Sequence, residues 1–522
     1  MAGGYDVAII GSGINALVCA ALLGKRGKRV LVLERNDQLG GCLRTEALTA
    51  PGFLHDVMAT TFVLFRVGPA NAALGEDLAR HGVEFCDTDA PTAVLRPDGS
   101  AAVLHMDRAK NMVMFEGLAQ GDSAGFANAA DDIGANADLI FALLGQGLWT
   151  RKTATLLARE AWRRGPRNLL AFMGGALGTA RGWLESDFQS ETARALFAPW
   201  VLHCGLGPES AYSAQMARVI AFTLEVAGAP IIKGGAARMV DGLRAIIEEN
   251  GGSLRTGADV SEIVVANGTA TGVRLSDGEV VAAGKVVASV TPTQLYGRLI
   301  AQPSEAAQEA TRTYRYGKGN FQLHYALNAP PKWNAPGLEN VALVHLTPGL
   351  DGVSRAANEA ERGQLPAEPT ICVGQPTALD PSRAPEGQAI LWLQMPEAPR
   401  HVKGDAAGKI PVGNGTWTTE LREAYANRIE DRLAQHIDGF RDTVIARRPL
   451  SPADLESMNM NLVGGDPYGG YCGLDQFFAW RPFKGSRNHT TEIKNLLHIG
   501  ASTHPGPGLG AGSGVLASGA IR

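Results

Sequence analysis

The sequence predicts an α/β fold, on three observations. The apolar run Val7-Ala8-Ile9-Ile10 leads directly into Gly11-Ser12-Gly13-Ile14-Asn15-Ala16, a G-x-G-x-x-G/A pattern. A second apolar run, Val30-Leu31-Val32-Leu33, ends on an acid, Glu34. Near the end, Asn495-Leu496-Leu497-His498-Ile499 precedes the densest glycine cluster, from Gly500 to Gly514. Short apolar runs bounded by glycine are what buried parallel strands look like.

The N-terminal elements follow in order. Val7–Ile10 is a strand. Ile14, Leu17, Val18, Ala21 and Leu22 then fall on one face of a helix, which Gly24 and Gly27 close. Val30–Leu33 is a second strand. In this Rossmann-like unit Gly11 makes the tight turn, Gly13 lets the backbone approach a pyrophosphate, and Ala16 permits close helix–strand packing. The helix N-terminus offers unpaired N–H groups and a positive dipole end to the anion. Glu34 lies 18 residues after Ala16, near the spacing of about 20 at which a carboxylate accepts ribose hydroxyls.

Composition removes other classes. The chain has 522 residues, 45% of them hydrophobic, so disorder is excluded as its main state. With 48 basic and 52 acidic residues the net charge is -4, which argues against a nucleic-acid partner. Cys19, Cys42, Cys86, Cys204, Cys372 and Cys472 form no C-x-x-C pair, so neither a disulfide framework nor a zinc-type spacing is expected, and no metal. There is no apolar run long enough for a transmembrane helix and no signal peptide; a cytoplasmic location is expected. Glycine is the outlier, at 64 residues against a usual ~7%.

Gly40-Gly41-Cys42-Leu43-Arg44-Thr45 follows Glu34-Arg35 closely. This resembles the diglycine extension of two-dinucleotide-binding-domain flavoproteins, and the resemblance implies FAD, with Arg35, Gly40, Gly41 and Arg44 along it. Disulfide reductase chemistry is excluded, because Cys42 has no nearby redox partner. Further on, Gly234-Gly235 precedes a helical pattern in Met239, Leu243, Ile246 and Ile247. Asp259–Val265 is a strand, and 272–281 is a hairpin turning on Asp277-Gly278. Lys285–Ser289 is another buried strand. The order resembles the second cofactor segment of the phytoene desaturase and amine oxidase superfamily, which implies that Val260 clamps the adenine through its backbone. The final glycine loop opens a helix at Val515-Leu516-Ala517, and the chain stops at Arg522 a turn or two later.

Strand-G-x-x-T-H-P-G-x-G resembles the C-terminal signature of the carotenoid desaturases. The chain is most similar to the subgroup of the carotene ketolases and the pyridine nucleotide-disulfide oxidoreductase domain-containing protein 2 type. Gly52-Phe53-Leu54-His55-Asp56, Asp380-Pro381 with Ala384-Pro385-Glu386-Gly387, and Gly464-Gly465-Asp466-Pro467-Tyr468-Gly469-Gly470 carry it further. It is weakest across about 125–225. Departures are Pro-Gly-Pro-Gly in the last loop and Cys42-Leu43 after the diglycine. The family implies FAD-dependent oxidation of a hydrophobic, polyene or isoprenoid-like substrate by hydride transfer, as a desaturase, dehydrogenase or oxidase. Gly500, Thr503, His504 and Gly510 would then adjoin the flavin. No second dinucleotide motif appears between 66 and 480, so oxygen or a quinone is the expected electron acceptor.

Candidate catalytic residues are His504, as a general base near the flavin, His55 beside Asp56, and Asp475. Candidate substrate-lining residues are His324, Gln476 and Arg481. His324 lies in Phe321–Leu327, which alternates as a half-buried strand, and a satisfied sheet histidine is the favoured reading of it. A buried ion pair joining domains is an equal reading of Asp475, Gln476 and Arg481. Residues 139–183 interleave Trp149, Trp162, Phe172 and Trp183 with Arg151, Lys152, Arg159, Arg163, Arg164, Arg167 and Arg181, against Glu160. That pattern suits an anionic membrane surface, and equally a solvated lid. Two interleaved domains are expected: 1–66, 226–300 and 480–522 for FAD, and 67–225 with 301–479, mixed sheet plus helices, for substrate. The rivals are a flavin amine oxidase and a non-catalytic flavin-binding assembly protein.

Overall fold

The computed structural model describes residues 4–522. In chain order the strands that position the site are β1 (Tyr5–Ile10), β2 (Val30–Leu33), β3 (Thr92–Leu95), β4 (Ala101–Leu104), β5 (Ser253–Arg255), β6 (Val260–Ala266) and β7 (Thr269–Leu275). They continue with β8 (Val280–Ser289), β9 (Gly319–Leu327), β10 (Leu343–Leu346), β11 (Ile371–Gly374), β12 (Ala389–Ala398), β13 (Val444–Leu450) and β14 (Leu496–Ile499). Two seven-stranded sheets result. The first runs β6-β7-β8-β1-β2-β5, with β14 also paired to β8. Around β1 it is parallel: β1 pairs β8 and β2, β2 pairs β5, and β8 pairs β14. The hairpin β7–β8 turns at Asp277-Gly278 as its sequence requires, and β8 passes from antiparallel pairing with β7 to parallel pairing with β1.

Every residue of β2 is buried, and so are the last four of β1, which explains their unbroken apolar character. Helix α1 (Ile14–Gly24) covers one face of this sheet. It shares a core with α2 (Pro69–Arg80) and α5 (Ala237–Glu249), through Leu17, Leu74, Leu78, Met239 and Leu243. The first layer therefore extends past residue 66, because Ala70, Leu74 and Leu78 pack into it. The last helix, α6 (Gly512–Ala520), lies against α1. A β-carbon at Gly514 would stand 2.1 Å from the Asn15 carbonyl oxygen, so only glycine permits that approach.

The second sheet runs β13-β9-β12-β11-β10-β3-β4. Its two faces differ. Phe321, Leu323, Tyr325, Leu391, Leu393 and Val373 point into a core closed by the helix Thr419–His436. Gln322, His324, Cys372, Trp392 and His345 occupy alternate positions on these strands, and all of them are buried. His345, Cys372, Gln394 and Gln322 stand in register across four strands. Over this face lies a helical layer drawn from 108–227, of which residues 191–204 pack on the strands. The same stretch contains α3 (Arg151–Arg164) and α4 (Pro166–Ala176), which pack on each other. No described helix is long and apolar enough to cross a membrane.

Candidate functional site

Three glycine clusters, remote in sequence, meet at the N-terminus of α1. Gly11, at φ +86°, lies against the end of β8: a β-carbon there would be 3.1 Å from the Ser289 carbonyl oxygen. Gly500, at φ +112°, faces the same residue, 3.6 Å from Ser289 Oγ. A β-carbon on Gly41 would touch the Gly13 Cα at 3.2 Å. Gly13 differs from all of these. It has an ordinary extended backbone (φ −62°, ψ 166°), and a β-carbon on it would find nothing within 4 Å. The protein's own packing gives no reason for glycine at 13. No side chain caps α1, so its first amides face that open space.

Ser12 ties the cradle together. Its backbone N–H and its Oγ both donate to Glu34 Oε2, at 3.0 and 2.6 Å, and its Oγ accepts from the Gly40 N–H at 3.0 Å. Glu34 Oε1 accepts from the Asn36 N–H. Glu34 is buried at the end of β2, where its backbone pairs with Arg255 and Ala258, which brings Val260 at the start of β6 close by. On the other side, the Gly500 N–H donates to Ser513 Oγ, which donates to Asn15 Oδ1 at 2.7 Å. Thr503 Oγ1 donates to the Gly500 carbonyl, and Gly510 rests on the Leu64 carbonyl region. Gly11, Gly13, Ala16, Glu34, Gly40, Gly41, Val260, Gly500, Thr503 and Gly510 thus lie on one end of the first sheet. Arg35 reaches toward Met460 Sδ, and Arg44 forms an ion pair with Glu46.

Residues 9–77 match the NAD(P)-binding Rossmann-like domain. The chain is 25% identical to a limonene dehydrogenase subunit of Castellaniella defragrans, over 98% of this chain and 93% of that one. The same identity holds for the pyridine nucleotide-disulfide oxidoreductase domain-containing protein 2 of Mus musculus, over 98% of this chain and 92% of that one. It holds again for a neurosporene-forming phytoene desaturase of Cereibacter sphaeroides, over 96% and 91%. The chain is a homologue of the phytoene desaturases and their relatives over nearly all of its length. An oxidoreductase from Methanosarcina mazei has the same fold, with a TM-score of 0.63 at 17% identity over 98% of this chain and 99% of that one.

On this desaturase-like frame, the chemistry candidates fare unequally. His504 is buried; its ring Nε2 lies 2.9 Å from the Gln146 carbonyl, its Nδ1 has no partner, and its own carbonyl is 2.9 Å from His489 Nε2. Burial is the main cause that lowers its pKa to about 4. His55 Nε2 is 2.8 Å from Thr49 Oγ1, and its Nδ1 is unpaired. Burial first, then His324 and Arg383, push His55 down to about 2. His324 corrects the favoured reading of it: it is fully buried beside the Val57 backbone, neither ring nitrogen makes a hydrogen bond of ordinary geometry, and it meets His55 edge-on at 5.3 Å between centroids. Burial lowers it to about 3.

Asp475 is corrected more strongly. Its side chain is 65% exposed and pairs with Arg315 at the surface, so it neither lines a buried floor nor forms a buried ion pair. Gln476 is a clamp, accepting from the Arg315 N–H at 3.0 Å and donating to the Arg315 carbonyl at 2.7 Å. Arg481 is buried without a paired carboxylate among the described residues. It donates to the carbonyls of Ala501 and Tyr468, and so braces the last glycine loop from below. Gly234 and Gly235 do not join the glycine convergence. The Gly234 N–H donates to Asp380, and a β-carbon at Gly235 would overlap Thr45. They sit on a buried charge cluster in which Arg383 bridges Asp56 and Asp380, both at 3.1 Å. Asp56 also accepts from Thr45, Thr60 and the Ala236 N–H at the start of α5, so it is a structural neighbour of His55.

Sequence reasoning missed Trp392 and Gln322. The indole N–H and the amide N–H of these residues both donate to the Met58 carbonyl, at 3.1 and 3.3 Å, and so fix the segment that follows His55. Polar residues at alternate positions of two otherwise apolar strands were the available signal. The basic–aromatic segment also contracts. Trp183 is buried, Arg163 and Arg164 pair with Glu160, and Arg181 pairs with Glu185, Glu209 and Asp351. What faces outward is Trp149, Leu157, Trp162, Leu170 and Met173, with Trp162 at 89% exposure. Arg151, Lys152, Arg159 and Arg167 border them, without ion-pair partners among the described residues.

Proposed function

We propose that this chain is an FAD-dependent oxidoreductase that removes hydride from an apolar, isoprenoid-like substrate. The observation that carries the reading is the space kept at Gly13, where glycine clusters converge on an uncapped helix N-terminus. In this reading the α1 amides and Gly13 would hold the pyrophosphate, Glu34 would accept from the ribose, and the Val260 backbone would hold the adenine. Gly40, Gly41, Arg35 and Arg44 follow the middle of the dinucleotide, and the Gly500–Gly510 loop lies along its ring end. Bound FAD supplies the hydride acceptor; the protein supplies position and exclusion of water. Burial keeps His55, His324 and His504 neutral at pH 7, the form that can accept a proton, while making each a weak base. Relatives named for phytoene and limonene, both isoprenoid hydrocarbons, support an apolar substrate. A substrate of that kind is delivered from lipid, and the outward face of α3 and α4 supplies a basic, aromatic-rimmed surface for that contact. Oxygen or a quinone accepts the electrons.

Anaerobic mixing of the purified protein with isoprenoid hydrocarbons tests the reaction. Bleaching of flavin absorbance by a polyene or terpene supports it. Bleaching by amines alone, or by neither class, counts against it.

A further inference from the structure

The helical layer meets the polar face of the second sheet at His203, in the last turn of a short helical segment running from Ala198 to Cys204. Its Nε2 lies 3.0 Å from Nε2 of His345 on β10. Cys372 on β11 is the cross-strand partner of His345, and the two nitrogens and the thiol sulfur all lie within 4.8 Å of one another. His345 and Cys372 are fully buried, and His203 is half-buried. Trp200 walls the group, with its ring centroid 4.7 Å from His203 and 5.1 Å from His345. Two imidazoles and a thiol from three separate elements thus bring one ligating atom each into a single cluster, in which the two imidazoles share a hydrogen bond. The residues are 142 and 27 positions apart, so no C-x-x-C or H-x-x-H spacing announces them.

We propose that His203, His345 and Cys372 bind one thiophilic metal ion, and that the ion is monovalent copper. The donor set selects the class, because thiolate with imidazole suits copper or zinc and rejects magnesium or calcium. Charge selects the ion. Binding replaces the thiol proton, which leaves to solvent, so a monovalent ion gives a neutral complex. A divalent ion would leave a net positive charge in a dry pocket. No carboxylate joins the group. Three ligands also match the trigonal coordination of monovalent copper, whereas zinc wants a fourth. The site stands apart from the glycine convergence, and its test does not depend on flavin chemistry.

The test is competition for monovalent copper against a coloured chelator, under anaerobic reducing conditions, with the full chain as purified. The expected result is one ion per chain, with affinity at least about 100-fold weaker in Cys372→Ser and in His203→Asn. His203→Asn is the safer variant, because that ring is half-buried at the end of a helical turn. Circular dichroism confirms that each variant is folded. Equal competition by the wild type and both folded variants would overturn the proposal. So would uptake of zinc with no uptake of copper, which would refute the charge argument.

Discussion

Replacing Gly13 by valine should leave this protein folded and weaken the FAD binding proposed for it. The backbone at 13 is open to any L-residue, and no atom lies within 4 Å of the added β-carbon. Losing glycine at the α1 N-cap costs about 1 kcal/mol. The stiffer unfolded chain offsets about 0.4–1 kcal/mol of that. The fold is therefore left near its original stability. The cofactor meets a different situation, because the side chain stands where the pyrophosphate would pass. Overpacking of about 1–3 kcal/mol corresponds to roughly 5- to 150-fold weaker binding. Gly514→Val is the matching control. Its side chain collides with the Asn15 carbonyl between two packed helices, so this variant should lose stability and flavin together. Flavin absorbance and thermal melting, measured on both variants, separate the two cases. A Gly13→Val protein that binds flavin with wild-type affinity would mean that the space at Gly13 does not hold the cofactor.

Other outcomes follow from the same structure. Arg383→Leu strands the carboxylates of Asp56 and Asp380 in the interior, and should cost about 3–5 kcal/mol in chemical denaturation. His489 and His498 are both buried and held neutral, each lowered to about 4. The unfolded chain therefore binds more protons than the folded one between the ordinary histidine value and pH 4. Stability is fully present above about 6.5 and falls as the pH drops toward 4, by on the order of 3 kcal/mol for each residue before coupling. A melting temperature that rises on acidification through this window would contradict that sign. Flotation with anionic vesicles at low salt should carry the wild type, while Trp162→Ala combined with Arg159→Glu floats less; unchanged flotation of that variant removes α3 as the contact. Asp475→Asn should leave turnover unchanged, because its partner is a surface arginine, and a large loss of kcat would return it to the catalytic candidates.

What the sequence made legible was local. Gly11, Gly13 and Glu34 sit in one βαβ unit, where apolar runs, turn glycine and a terminal acid are set by near neighbours. The hairpin at Asp277-Gly278 was readable for the same reason. The polar face of the second sheet was not readable, since His345, Cys372, Gln394 and Gln322 become neighbours only through long-range strand pairing. Phe321–Leu327 shows the limit most clearly. Its alternation marked two faces, but both are buried, so the polar one is an inner wall with unsatisfied nitrogens on His324. Asp475 failed for the opposite reason: a carboxylate near an arginine in sequence carries no information about which of them faces water. The helices across 139–183 were visible, yet which arginines were already paired depended on Glu160 and on acids as distant as Asp351.

The space at Gly13, in the reading proposed above, holds FAD. Denaturing the purified protein and identifying what it releases tests this most directly. The expected result is a yellow protein that releases one FAD per chain. A colourless protein that takes up no FAD on reconstitution, or one that releases only a nicotinamide dinucleotide, would contradict it.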